Sequence, residues 1–383
     1  MTRNAVILVA SMLVTLVLGS VHAFSVFIVP LETRLVLPRS DISLIYSLTL
    51  VSITLSVLFG YRLYARIPAW VMVACACFTA GIGVFLASRA TEWWQLFLGY
   101  SVLFGISNGI GYGFCLQLVG RVMPDIKGFA MGAVTAAYAV GSVIFAKIFA
   151  VQLSSYSLSA ALMALLSGLI VCGVVAALCL RLTEAEYGDV IELETRSVDR
   201  VKVIQFWLSY MTSVFAGLMA IGHAAGVVLS VKGNTELATT GAITIGIGSA
   251  LGGFLAGWLV DRWPARRFLI GLPLLASLAL FSITLTGNPV MAVTLLSLLG
   301  FSYGSLIAIY PVAISDFFGE QGPRVYGQVF TAWGFAGLVA PWLAGILYDR
   351  HQSYQMALIA AALVALTSAV LVCFCRLKSD RAE

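Results

Sequence analysis

Twelve apolar runs, each about 20 residues or longer, constrain this chain more than any other feature of its sequence. A helix needs about 20 mainly apolar residues to cross the hydrocarbon core of a bilayer. Breaks fall at Pro38, Pro68, Pro124, Pro264 and the pair Asn288-Pro289, because continuing a helix through proline is costly. The predicted spans are roughly 5–30, 41–63, 68–88, 93–120, 128–150, 157–180, 203–230, 237–260, 267–286, 289–315, 325–348 and 354–375.

The composition excludes a soluble protein. Hydrophobic residues make up 61% of the 383 residues and charged residues 10%, against usual values of about 45–50% and about 25%. A soluble fold could not hide that much apolar surface, because large exposed apolar patches are rare. We therefore expect an all-α integral membrane protein in a lipid bilayer, and we exclude secreted, nuclear, cytosolic and disordered classes.

The placement of the basic residues predicts the orientation. If the N-terminus is cytoplasmic, sixteen of the 22 lysines and arginines fall on the cytoplasmic side. Cytoplasmic loops carry such an excess. We expect a multi-pass protein of the cell membrane, a bacterial inner membrane, with both termini in the cytoplasm.

One polar stretch, 182–202, divides the twelve spans six and six. It predicts an N-terminal six-helix bundle (1–181), a charged cytoplasmic linker (182–202) and a C-terminal six-helix bundle (203–383). A small amphipathic interfacial helix within the linker is the alternative.

The two halves resemble each other at a nearly fixed offset. Segment 103–109 lies 195 residues before segment 298–304, and the same offset pairs Tyr138 with Trp333. In the first helices the offset is 201, which pairs His22 with His223. Two parallel six-helix repeats predict a binding site near the membrane midplane between them.

The end of the eighth span resembles a loop signature of the major facilitator superfamily, Gly-x-x-x-Asp-Arg-x-x-x-Arg-Arg. The residues that carry the resemblance, together with a preceding small residue, are Gly253, Gly257, Asp261, Arg262, Arg266 and Arg267. The resemblance implies the twelve-helix major facilitator fold, in which these residues form a cytoplasmic latch that opens and closes during alternating access. The first-half copy has Ala65 in place of the aspartate, which implies a weaker latch there. Arginines that merely anchor a loop are the alternative.

Three shorter stretches resemble the oxalate:formate antiporter and monocarboxylate transporter branch of that superfamily. They are 22–27, 124–132 and 330–341. The branch places charged substrate-binding residues in helices 8 and 11, whereas 237–260 and 325–348 contain none here. A doubly charged substrate therefore lacks a fixed counter-charge, and a monocarboxylate is favoured over oxalate.

Two histidines are the clearest ionisable residues inside predicted spans, where such residues are costly and usually functional. The resemblance places His22 where monocarboxylate transporters have a substrate-contacting lysine. For both His22 and His223, a neutral histidine bonded between helices is the alternative. The remaining substrate-binding candidates, for which interhelical packing is the alternative, are Asn108, Tyr112, Tyr138, Tyr303, Tyr310 and Trp333.

These features favour a secondary transporter, a symporter or antiporter, that moves a small organic anion by alternating access. We expect a small-molecule substrate, protons as the candidate coupling ion, a monomer, and no cofactor, metal or nucleic acid. The rivals are a transporter of a drug or metallophore-like metabolite, in either direction, and a membrane sensor. We found no catalytic constellation, and an enzyme is not expected.

Overall fold

The computed structural model describes residues 3–64, 66–187, 199–260, 262–318 and 321–374, and these residues form helices and connecting turns with no strand among them. Twelve helices are long and apolar enough to cross a membrane, which confirms the all-α prediction and the number of spans. The chain divides into two compact units, Met1–Leu193 and Glu194–Glu383. The first unit contains α1 (Arg3–Leu35), α2 (Arg39–Tyr64), α3 (Ala69–Arg89), α4 (Trp93–Val122), α5 (Lys127–Ser155) and α6 (Leu158–Leu182). The second contains α7 (Arg200–Ser230), α8 (Thr235–Val260), α9 (Ala265–Leu285), α10 (Pro289–Phe318), α11 (Gly322–His351) and α12 (Gln355–Phe374).

Local chemistry explains where many helices begin. Pro68 and Pro264 stand immediately before α3 and α9, where a missing N–H costs nothing. The side chains of Ser157, Asp199 and Asn288 accept hydrogen bonds from backbone N–H groups of α6, α7 and α10. Such caps satisfy donors that the helix itself leaves unpaired.

Equivalent helix pairs pack together in both units. In the first unit, α2 packs on α4, α3 on α6, and α1 on α5 and α6. In the second unit, α8 packs on α10, α9 on α12, and α7 on α11 and α12. The shared pattern is that expected of two parallel structural repeats.

Glycines permit the closest of these crossings. A Cβ atom at Gly109 in α4 would collide with the carbonyl oxygen of Ile53 in α2, and one at Gly304 in α10 would collide with that of Ser249 in α8. Gly109 and Gly304 are the two members of a repeat-related pair, 195 residues apart. Small residues let membrane helices approach backbone to backbone. The crossing of α4 with α2 in the first unit therefore has the same close contact as the crossing of α10 with α8 in the second.

Two helices of the first unit depart from regular α geometry. Within α1, residues Gly19–Phe27 form a 3₁₀ helix between two α-helical stretches. Within α4, residues Phe97–Phe104 form a π-helical stretch. Runs of 3₁₀ helix longer than three or four residues are uncommon, and both irregularities often mark functional sites. Their repeat counterparts, α7 and α10, are α-helical throughout.

Tyr187, which follows α6, packs against the first unit and is hydrogen-bonded to it. Tyr187 is 6% exposed, its hydroxyl donates to Gln117, and its carbonyl oxygen accepts from Arg121 at 3.2 Å. The Arg121 guanidinium also lies 4.0 Å from the centre of the Tyr187 ring, a favourable cation–π arrangement. Burial raises the pKa of the Tyr187 hydroxyl although Arg121 opposes the rise, so the hydroxyl remains a donor at neutral pH.

A partly buried ion pair joins the end of α1 to the start of α2. Arg39 is 7% exposed, and its Nη2 atom lies 2.7 Å from Oε2 of Glu32. Its Nε atom donates to the other carboxylate oxygen, which completes the bidentate geometry that favours arginine.

Candidate functional site

His22 lies in the 3₁₀ stretch of α1 and has one open ring nitrogen. Its Nδ1 atom lies 2.9 Å from the hydroxyl oxygen of Tyr46 in α2. Its Nε2 atom makes no hydrogen bond with any residue that the structure describes, and the side chain is half-buried. Because residues three apart align along a 3₁₀ helix, Gly19, His22 and Ser25 share one face. Nε2 of His22 can therefore still donate or accept one hydrogen bond.

A polar network lies beside His22. The ring of Tyr138 in α5 meets the His22 ring edge to face, with centroids 5.6 Å apart. The Tyr138 hydroxyl donates to Oδ1 of Asn108 at 3.0 Å, and Nδ2 of Asn108 donates to the Leu18 carbonyl oxygen at 2.7 Å. Leu18 is the last residue before the 3₁₀ stretch. Asn108 thus links Tyr138, which contacts His22, to Leu18, after which α1 changes from α-helical to 3₁₀ geometry.

Tyr112 extends this network by one helical turn. Its ring lies 4.9 Å from that of Tyr138, and its hydroxyl lies 3.4 Å from Oγ1 of Thr135. Tyr112, Tyr138, Thr135 and His22 are all half-buried. The structure therefore brings together in one cluster the four candidates from the first repeat, which are His22, Asn108, Tyr112 and Tyr138.

The second unit repeats one hydrogen bond of this cluster with different residues. Nε1 of Trp333 donates to the Tyr303 hydroxyl at 2.8 Å, and the two residues are 5% and 6% exposed. Trp333 and Tyr303 lie 195 residues after Tyr138 and Asn108. Gly217 in α7 leaves room for the Tyr303 ring, which a Cβ atom there would contact at 2.5 Å. Both units thus join their fourth and fifth helices by a bond at the same position.

His223 differs from its repeat partner. The side chain is fully buried in α7, with Nε2 2.8 Å from the carbonyl oxygen of Pro341 and Nδ1 2.8 Å from the hydroxyl of Tyr354. Both ring nitrogens therefore have partners on other helices or their connections. This geometry matches the interhelical alternative and leaves no nitrogen for a ligand.

Tyr310 is also enclosed by its own unit. Its hydroxyl lies 2.7 Å from Oγ of Ser209, its ring lies 4.3 Å from that of Tyr210, and it has no exposed surface. The contacts are those of helix packing between α7 and α10.

The latch residues lie at the end of α8 and the start of α9. Gly253 and Gly257 fall within α8, and Arg262, Arg266 and Arg267 have exposed side chains. Nη2 of Arg266 donates to the Cys373 carbonyl oxygen at 3.0 Å. Asp261 lies outside the described residues, so the latch remains a prediction.

Sequence reasoning missed Tyr46 and Thr135. Both lie in apolar helices, outside the motifs that carry the resemblance, and a hydroxyl in such a helix usually bonds its own backbone. Their position beside His22 and Tyr112 depends on helix packing, which no local pattern in this sequence reveals. Across the described residues, no group of three or more His, Cys, Asp or Glu side chains could hold a metal ion.

A model of the Major Facilitator Superfamily matches residues 7–322 and 233–383. The chain belongs to the major facilitator superfamily. Its relatives in this family include the uncharacterized MFS-type transporter YhjX of Escherichia coli (strain K12), which is 24% identical over 86% of this chain and 85% of that protein. The oxalate:formate antiporter of Oxalobacter formigenes is 24% identical over 62% and 59% of the two chains. Monocarboxylate transporter 12-B of Danio rerio is 24% identical over 92% and 82%.

Solved structures agree on the fold of this superfamily member. A D-xylose–proton symporter superposes with a TM-score of 0.73 at 15% identity and covers 99% of both chains. A bacterial homolog of the human lysosomal transporter Spinster gives a TM-score of 0.71 at 15% identity, covering 97% of this chain and 96% of that one. The family and the fold confirm a multi-pass membrane transporter, and the relatives confirm the resemblance to the oxalate:formate and monocarboxylate branch.

Proposed function

We propose that this superfamily member is a secondary transporter that moves a small organic anion of the monocarboxylate type by alternating access. The observation that carries the proposal is the open Nε2 atom of His22, beside the Tyr138–Asn108–Tyr112 network. An imidazole N–H and neighbouring hydroxyls can bind a carboxylate by hydrogen bonds without a permanent buried charge. A permanent charge in this position would be costly inside the membrane.

The substrate carries at most one negative charge in this proposal. Residues 237–260 and 325–348 contain no charged side chain, so these two segments of the second unit offer no fixed cation. A dianion would have to lose most of its hydration without a counter-charge, which is unfavourable in a low-dielectric interior. One carboxylate with a small polar or apolar remainder fits these residues better.

The residues proposed to touch substrate are not all of the candidates. We assign contact to His22, Tyr112 and Tyr138, which lie together in the first unit and keep exposed surface. Asn108 is fully buried with both amide atoms bonded, so we assign it to holding Tyr138 in place. Tyr303 and Trp333 are buried and bonded to each other, and we assign them to helix packing in the second unit. We assign His223 and Tyr310 to interhelical packing, since their polar atoms are already bonded.

Counterflow in proteoliposomes tests the proposal. Purified protein is reconstituted with a panel of unlabelled monocarboxylates, dicarboxylates and the corresponding amines, and exchange of labelled monocarboxylate is measured. We expect saturable exchange with monocarboxylates and little with dicarboxylates or amines. His22→Ala should abolish exchange, whereas His351→Ala is the matched control because His351 is exposed at the end of α11. Absence of saturable exchange across the panel, or full activity of His22→Ala, would overturn the proposal.

We also propose a monomer in a bacterial inner membrane with both termini cytoplasmic and protons as the coupling ion. The excess of basic residues on one side supports the orientation. Tags placed at both ends should react with a membrane-impermeant reagent only in inverted vesicles. An imposed pH gradient should drive substrate uphill, and uptake that ignores the gradient would remove protons as the coupling ion.

A further inference from the structure

His223 shows within this chain how a tyrosine can fix the tautomer of a histidine. The Pro341 carbonyl oxygen can only accept, so the Nε2 atom of His223, 2.8 Å away, must carry the hydrogen. Both of these bonding partners are uncharged and the ring is fully buried, which favours the neutral imidazole. Nδ1 is then the acceptor, and the Tyr354 hydroxyl donates to it.

His22 repeats half of this arrangement. It is paired with His223 by the 201-residue offset, and its Nδ1 atom also bonds a tyrosine hydroxyl, at 2.9 Å instead of 2.8 Å. The difference is on the other nitrogen. No carbonyl or other described group bonds Nε2 of His22, and the side chain retains exposed surface.

The tyrosine beside His22 is held in place by its surroundings. Tyr46 is 1% exposed, and its ring stacks on that of Phe24 with centroids 5.3 Å apart and planes 14° apart. Tyr46 also meets the His22 ring at a steep angle of 73°. A tyrosine fixed in this way holds its hydroxyl oxygen against Nδ1.

We propose that Tyr46 is a positioning residue that donates to Nδ1 of His22 and so keeps the hydrogen on Nε2. A ligand at Nε2 must then supply an acceptor oxygen, a carboxylate or carbonyl, in the place that the Pro341 carbonyl takes on His223. This inference rests on the proposed function for the identity of His22 as the substrate contact. It adds that Tyr46 decides which kind of ligand atom can bind Nε2 of His22. Acceptor oxygens bind there, and amines or other groups that can only donate do not.

Nitrogen-15 spectroscopy of the imidazoles tests the tautomer directly. The chain has three histidines, His22, His223 and His351, so ¹⁵N-histidine-labelled protein in lipid nanodiscs gives few signals, and His22→Asn and His351→Asn variants assign them. We expect His22 and His223 to share one pattern, with a protonated Nε2 and an unprotonated Nδ1. A His22 signal with the hydrogen on Nδ1 in the ligand-free protein would overturn the inference.

Tyr46→Phe separates positioning from packing. The substitution keeps the ring and its stacking on Phe24 but removes the hydroxyl, so we expect the thermal midpoint to change little. The ¹⁵N signals of His22 should shift toward a mixture of tautomers while those of His223 remain fixed. Tyr354→Phe is the matched control and should alter His223 without altering His22.

Transport by the same variants completes the test. For a monocarboxylate substrate, Tyr46→Phe should raise KM about tenfold with little change in the maximal rate, since one charge-assisted hydrogen bond is weakened. An unchanged His22 tautomer in Tyr46→Phe would refute the positioning role even if transport fails. The expected tautomer shift together with no flux of any organic acid would instead refute the proposed function and leave the role of Tyr46 standing.

Discussion

The two repeat-related histidines should respond in opposite ways to the same substitution. His223→Leu removes two hydrogen bonds, each 2.8 Å long, and an edge-on ring contact with Tyr354 at 5.3 Å. His22→Leu removes one hydrogen bond of a half-buried side chain and its edge-on ring contacts with Tyr46 and Tyr138. We therefore expect His223 to control stability and His22 to control transport.

The magnitude follows from these contacts. Interhelical hydrogen bonds in membrane proteins contribute about 0.6 kcal/mol on average and up to about 1.7 kcal/mol. Two of them, with an aromatic contact of about 0.5–1.5 kcal/mol, predict a loss of about 2–5 kcal/mol for His223→Leu. One hydrogen bond and the ring contacts of a half-buried side chain predict a smaller loss, about 1–2 kcal/mol, for His22→Leu.

Two assays on the same preparations check this contrast. Unfolding in mixed micelles with increasing dodecyl sulfate, followed by tryptophan fluorescence, gives the change in the free energy of unfolding. Counterflow, normalised to the folded fraction, gives the transport rate. His223→Gln, which can retain one of the two bonds, should fall between wild type and His223→Leu in stability. Equal destabilisation by the two leucine substitutions, or greater loss of normalised transport for His223→Leu than for His22→Leu, would refute the reasoning.

Three further substitutions test other parts of the structure. Gly304→Ala should destabilise by about 1–3 kcal/mol because its Cβ meets backbone, whereas Gly271→Ala, with open space around it, should be near neutral in the same unfolding assay. Glu32→Gln should cost about 1–2 kcal/mol because it leaves the buried Arg39 without its carboxylate, and a loss that vanishes when salt is raised would contradict this. Tyr187→Leu should speed hydrogen exchange in the segment after α6 and leave the ends of α9 and α12 unchanged, and unchanged exchange throughout would show that the aromatic contacts do not hold that segment.

Much of the fold was accessible from the sequence because the bilayer imposes a simple rule. The apolar runs predict twelve spans, and the part of the chain that the structure describes has twelve. The offset of 195 residues predicted that Tyr138 and Trp333 are equivalent. Tyr138 donates to Asn108 and Trp333 donates to Tyr303, and these two acceptor residues are also 195 residues apart. Length, hydropathy and repetition are local or periodic properties, so a sequence displays them directly.

The differences between the two units were not accessible. His22 and His223 occupy matching positions, yet their environments diverge because Tyr354 and the Pro341 carbonyl reach only one of them. The 3₁₀ stretch of α1 contains no proline and a single glycine, Gly19, so propensity gives no warning of it. Such features depend on side chains from distant helices, and Tyr46 was overlooked for the same reason.

The 3₁₀ stretch of α1 has a consequence for distance along the axis of that helix. A 3₁₀ helix rises about 2.0 Å per residue and an α-helix about 1.5 Å, so the nine residues Gly19–Phe27 make α1 about 4.5 Å longer than a uniform α-helix would be. Each residue that changed from one geometry to the other would alter this length by about 0.5 Å and turn the following residues by about 20°. Over the same number of residues, the first helix therefore extends further at His22 than α7, its uniform counterpart, does at His223.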